Sequence, residues 1–140
     1  MVLLTGASGF IGSYLLRRAS GLLKFRCLVR PSSADKLNKN SGVEIMEGDL
    51  LSETDIARAV KGADTIIHLA ALLRTSQPSE ITRVNVESTR LLIREAKKYQ
   101  VRRFVFVSTE NAAREDLKDA YPDSKRQAEN FVKKFENSMI

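Results

Sequence analysis

Tyr121 and Lys125 stand four residues apart at the start of a helical pattern, so they share one helix face. A phenol with a pKa of about 10 is a poor base at neutral pH, but a neighbouring ammonium favours the phenolate. Such a pair can take or give a proton around neutrality. Thr109 ends the apolar run Val101–Thr109, where its hydroxyl can hydrogen-bond a substrate oxygen and hold it against Tyr121. The plain alternative is a surface tyrosine beside a solvated lysine. His68, the one histidine, closes another apolar run; with no second histidine and no cysteine cluster it predicts local packing and no metal site. Cys27 cannot form an internal disulfide and reads as core.

A second group of residues suits an anion. Gly6-Ala7-Ser8-Gly9-Phe10-Ile11-Gly12 follows the short apolar run Met1–Leu4 and opens a stretch with helical spacing, so the loop joins strand to helix. Glycine serves where the chain turns with positive φ, where backbone approaches a phosphate, and where helix packs closely on strand. Gly6, Gly9 and Gly12 fit those three needs, and the first helical turn then offers free N–H groups to a pyrophosphate. The run Phe25–Arg30 arrives where a βαβ unit closes. Arg30 at its end accommodates a ribose 2′-phosphate, with Ser32, Ser33 and Lys36 nearby, whereas a carboxylate there would select a 2′-hydroxyl. The expected cofactor is NADP in preference to NAD. The alternative is that Arg30 only caps the strand while Asp35 curls back to the ribose.

These residues need a scaffold that brings strand ends together. Further apolar runs at Val43–Glu47, Asp64–Ala71 and Val101–Thr109 alternate with helical patterns at Ser52–Val60, Ser79–Tyr99 and from Tyr121 onward. The runs are near-continuous instead of alternating, which predicts strands covered on both faces. The expected fold is α/β, a doubly wound parallel sheet of five strands in order 3-2-1-4-5. Gly6, Arg30, Asp49, Ala70 and Thr109 then fall at carboxyl ends, where ligands bind in such sheets. The 140 residues suit one domain. No run can span a bilayer and no cleavable leader is visible, so a cytoplasmic protein without a membrane partner is expected. The net charge of +6 is spread along helices among Glu and Asp, which argues against nucleic-acid binding.

Taken together these motifs resemble the amino-terminal half of the extended short-chain dehydrogenase/reductase family, the NAD(P)-dependent sugar-nucleotide epimerases and dehydratases with a Rossmann-type fold. Thr5–Gly12 resembles that family's glycine loop, and Gly48-Asp49-Leu50 its adenine-contacting element, in which the carboxylate accepts from the exocyclic amine. His68-Leu69-Ala70-Ala71 is similar to the strand exit under the nicotinamide ribose, and Asn85–Thr89 to an element of the long fourth helix. Ser108-Thr109 and Tyr121-x-x-x-Lys125 match the active-site serine/threonine and Tyr-Lys pair. The resemblance implies a cofactor-binding domain over residues 1–140, with the family's carboxyl-terminal substrate region absent from this chain. It implies hydride transfer with Tyr121 as acid and base, Lys125 tuning it and holding the ribose, and Thr109 placing a small substrate such as a sugar nucleotide. A non-catalytic nucleotide-bound sensor or structural module is the alternative. The resemblance also implies a homodimer through the helices beginning near Ser79 and Tyr121. The Thr109–Tyr121 loop is shorter than usual in the family, with Asn111–Arg114 in place of its Tyr-Gly.

Overall fold

The computed structural model describes residues 1–37, 42–114, 116 and 119–136. Five parallel strands form one sheet in the expected order: β3 (Val43–Glu47), β2 (Phe25–Val29), β1 (Val2–Thr5), β4 (Thr65–His68) and β5 (Arg103–Phe106). The register aligns Leu3, Ile66 and Phe104 in one row and Thr5, His68 and Phe106 two residues on, hence on the same face. Leu4, Ile67 and Val105 point to the other face.

Three helices, α3 (Glu53–Val60), α4 (Pro78–Lys98) and α5 (Ala120–Glu136), bury the first face. Leu3 and Ile66 meet Ile56, Leu91, Leu92 and Phe135 there. Ser52 starts α3 by accepting the Asp55 N–H at 3.3 Å, and Pro78 starts α4 where its missing N–H costs nothing. On the second face α1 (Phe10–Ala19) packs through Leu16 onto Leu4, Phe25 and Cys27. A single turn, α2 (Pro31–Ala34), follows β2.

Two sequence expectations need correction. The fifth strand ends at Phe106, not Thr109, because its partner β4 ends at His68 and a parallel ladder cannot outlast its neighbour. The chain turns instead into a 3₁₀ segment, Glu110–Ala113, within the stretch that the sequence leaves as loop. Coverage is also uneven: Val105 and Val107 are exposed, since among the described residues only α1 and α2 lie on the second face, over β1 and β2. Residues 38–41 lie outside the described residues, as do 115, 117, 118 and 137–140. No helix among the described residues is long and apolar enough to cross a membrane.

Helix α1 lies tightly against the turn after β1 at Gly12. A Cβ there would press on the Gly6 carbonyl oxygen and lie 2.7 Å from the Ala7 Cα, both backbone. Helix propensity alone favours alanine over glycine by about 1 kcal/mol. Gly12→Ala is nevertheless expected to destabilise the fold by about 1–3 kcal/mol. The urea midpoint at unchanged slope measures it, and a neutral or stabilising outcome would show that α1 does not rest on this contact.

Candidate active site

At the carboxyl end of β1 the chain makes a cradle. Gly6 has φ +72°, and a Cβ on it would lie 2.6 Å from the Ala70 nitrogen and 2.8 Å from the Leu69 carbonyl carbon. The β4 exit therefore crosses directly against the turn. Gly9 has an ordinary extended backbone, and a Cβ there would touch only the Gly6 oxygen at 3.2 Å. That contact with a backbone oxygen is tight, so a side chain at this position would have to displace the Gly6 turn by a few tenths of an ångström. Gly9 caps α1 without a side-chain bond, and no acidic residue occupies the first turn. The N–H groups of Phe10, Ile11 and Gly12 precede the first intrahelical bond, from Ser13 to Gly9. Ala7 is buried in the core and Ser8 is half-buried, so the loop meets a ligand chiefly through backbone. This arrangement fits a diphosphate.

Around the cradle stand the other strand ends. Arg30 is exposed at the start of α2, and among the described residues it has no ion-pair partner; Asp35 lies beyond the α2 turn. After β3, Asp49 accepts the Leu51 N–H on Oδ1 at 2.9 Å, while its own N–H donates to Asp55 at 3.0 Å. Among the described residues Oδ2 of Asp49, an exposed side chain, has no hydrogen-bond partner. Leu50 packs partly into the core. Leu69, Ala70 and Ala71 are half-buried after β4.

On α5, Tyr121 lies in the first turn, half-buried, and Lys125 one turn later is only 2% exposed. The Lys125 ammonium sits 4.0 Å from the centre of the Phe106 ring. Burial pulls its pKa down to about 8, with the Glu129 carboxylate pulling weakly the other way. The solvated lysine of the plain alternative is thus absent. Thr109 is half-buried at the head of the 3₁₀ turn. Its neighbour Ser108 donates to Glu129 at 2.5 Å.

The NAD dependent epimerase/dehydratase family matches residues 2–138. The chain belongs to this family. It is 34% identical to ceramide reductase from Caulobacter vibrioides over 100% of its own length and 44% of that protein's. It is 30% identical to UDP-glucose 4-epimerase from Vibrio cholerae over 77% of its length and 34% of that protein's. A short-chain dehydrogenase/reductase superfamily protein from Agrobacterium tumefaciens, solved with bound NAD, superposes with TM-score 0.83 at 27% identity, covering 99% of this chain and 45% of that one. The chain thus spans less than half the length of each of these proteins.

Within this epimerase/dehydratase chain, Asn85, Ser124 and Arg126 hold the site together. Asn85 of α4 accepts the Leu72 N–H at 2.7 Å and returns a bond to the Leu72 oxygen at 2.9 Å, fixing the β4 exit. It also donates to Ser124 at 2.9 Å, and Ser124 donates to the Tyr121 carbonyl at 2.7 Å. Arg126 donates to the Ala112 and Arg114 carbonyls at 2.9 and 2.8 Å and to Asp123 at 2.6 Å, clamping the turn after Thr109 onto the helix of Tyr121. Position in the motif was the only sequence signal for Asn85; Arg126 had none.

His68 is buried between Thr5, at 2.6 Å from Nδ1, and Thr89, at 3.1 Å from Nε2. Thr89 gives its proton to the Asn85 carbonyl, so it accepts from the ring and Nε2 carries the proton. Burial keeps the imidazole neutral, so Nδ1 is left to accept the Thr5 hydroxyl, whose oxygen takes the Ala70 N–H. Burial first, then the charge of Lys125, holds its pKa down to about 3. In the unfolded chain the ring titrates near the ordinary histidine value of 6.5, so below that pH the unfolded state binds a proton that the folded state refuses. Stability should fall as pH drops from 6.5, approaching about 1.4 kcal/mol per pH unit well below it. Urea midpoints between pH 6.5 and 5, above most carboxylate titration, test this against His68→Gln. A wild-type curve as flat as the variant's would overturn the assignment.

Proposed function

We propose that this chain is the cofactor-binding part of a cytoplasmic, NADP-dependent short-chain dehydrogenase/reductase that exchanges hydride with a hydroxyl or carbonyl carbon. The carrying observation is the burial of Lys125 one turn after Tyr121, at the same sheet edge as the glycine cradle. A lysine kept from water beside a tyrosine has no structural need of its charge; it serves to hold a proton balance.

The glycine cradle and the α1 amides would hold the pyrophosphate, Asp49 Oδ2 the adenine amine, and Leu69, Ala70 and Ala71 would flank the nicotinamide ribose. When bound, the nicotinamide supplies or takes up hydride. Tyr121 gives its phenolic proton to the substrate oxygen during reduction and takes it back during oxidation. Lys125 stabilises the phenolate left behind, and Thr109 donates a hydrogen bond to the same oxygen, aligning it. Arg126 keeps the Thr109 turn seated on the helix that carries Tyr121.

Arg30 supports NADP. It follows β2 directly and among the described residues has no carboxylate paired to it, and a guanidinium there can grip a 2′-phosphate with charge-assisted bonds. For the substrate, a sugar nucleotide is the family reading. The match to a ceramide reductase over the whole chain favours a second, a lipid alcohol or ketone reacting at the same residues.

Paired titrations with NADPH and NADH test the cofactor. Wild type should prefer NADPH, and Arg30→Ala should lose about ten- to a hundredfold of that affinity while NADH binding stays level. Equal affinities, or equal losses for both nucleotides, would refute the Arg30 assignment. In the full-length parent, Tyr121→Phe should reduce turnover by at least about a hundredfold with cofactor affinity nearly unchanged. Retained turnover would sink the Tyr121 role.

A further inference from the structure

The first 34 residues contain Arg17, Arg18, Lys24, Arg26 and Arg30 and no aspartate or glutamate. They account for five of the six net positive charges of the whole chain. Arg26 is spent internally, donating to the Ala59 and Lys61 carbonyls and pairing with Glu44. Arg17, Arg18 and Lys24 are exposed. They stand on the outward face of α1 and on the turn after it, opposite the buried Gly12 and Leu16.

The same surface carries apolar side chains that folding has left in water. Leu22 is 84% exposed and Leu23 48%, on a turn pinned by both their N–H groups donating to the Ala19 carbonyl. Tyr14 is half exposed one turn before Arg17 and Arg18, whose guanidinium carbons lie 5.8 and 5.2 Å from its ring centre. Two leucines left in water among cations, in a segment whose own sequence contains no acid, give the folded chain nothing. An anionic, partly apolar surface would use both features.

We propose that the outward face of α1 and the Leu22-Leu23 turn form a docking surface for the headgroup and acyl boundary of an anionic lipid bilayer. The leucines enter the interface, while Arg17, Arg18 and Lys24 meet lipid phosphates and carboxylates. No spanning helix is needed for such a contact. A bilayer fits better than nucleic acid, because a phosphate backbone offers nothing to Leu22 and Leu23, and Tyr14 is flanked by arginines instead of being free to stack. The surface stands apart from the catalytic reading, since neither Arg17, Arg18, Leu22 nor Leu23 belongs to the cofactor cradle.

The test is co-sedimentation of the 140-residue chain with vesicles of phosphatidylcholine alone or mixed with phosphatidylserine. Binding is expected only to the mixed vesicles, weakening as salt is raised. Arg17→Gln/Arg18→Gln should lower partitioning roughly 30-fold, and Leu22→Gln/Leu23→Gln about tenfold. Both variants should keep the wild-type circular dichroism and melting temperature, so a folding failure would be visible separately. Absence of binding to the mixed vesicles overturns the proposal, as does equal binding by either variant. Retention on duplex DNA at an ionic strength where vesicles are not bound overturns it in favour of nucleic acid. Failure of NADPH to bind would leave this result untouched and would bear only on the cofactor reading.

Discussion

The structure depends on one buried chain of hydrogen bonds with a single direction. It starts at the Ala70 N–H, passes through the Thr5 hydroxyl to His68 Nδ1, leaves from Nε2 to the Thr89 hydroxyl, and ends on the Asn85 carbonyl. Each member has one proton to give and gives it to the next. The first three links cross between elements, β4 exit to β1, β1 to β4 and β4 to α4, and the last closes within α4. Asn85 then extends the tie to Leu72 and, through Ser124, to the first turn of α5. A buried polar group without a partner costs about 1–3 kcal/mol, so the network tolerates one register and penalises any slip. The glycine cradle, the β4 exit and the Tyr121 helix are thus fixed relative to one another by the same few bonds.

Much of this was legible because the signals were local. A strand-to-helix glycine loop, alternating apolar runs and a Tyr-x-x-x-Lys spacing are read within a few residues, and they predicted the strand order and the ends at which candidate residues gather. Gly6 and Gly12 were assigned their turn and packing roles from spacing alone, and the backbone bears both out. The His68 network was only half legible. A lone histidine closing an apolar run reads as packed, but its partners Thr5 and Thr89 are 63 and 21 residues away, and only the register brings them to the ring. Arg126 is less legible still. Its targets are backbone carbonyls of a short turn, and a backbone acceptor leaves no mark in a sequence.

The corrections have a common physical origin. Apolar composition does not tell where pairing starts or stops, so Val101 to Thr109 looked like strand while the ladder runs only from Arg103 to Phe106, opposite Thr65 to His68. Likewise Val105 and Val107 are as apolar as any covered strand residue, yet the face they share receives no helix over β5 among the described residues. Burial is a property of what arrives from elsewhere in the chain. A window of residues cannot report it.

Lys125 shows what this scaffold does with that dependence. Desolvation by Phe106 and the α5–β5 interface lowers the pKa of its ammonium, and the nearest acid, Glu129, accepts a short bond from Ser108. The quadrupole of the Phe106 ring offers the charge partial compensation on one side, and it offers no acceptor for the three N–H bonds. An ammonium in that position gains most from oxygen atoms brought to it. His68, whose own protonation the same charge opposes, stays neutral and adds no competing cation. The interior thus holds the Lys125 charge on α5 against the ring of Phe106, the last residue of β5, at the carboxyl end of the sheet where the Gly6 to Gly12 turn also lies.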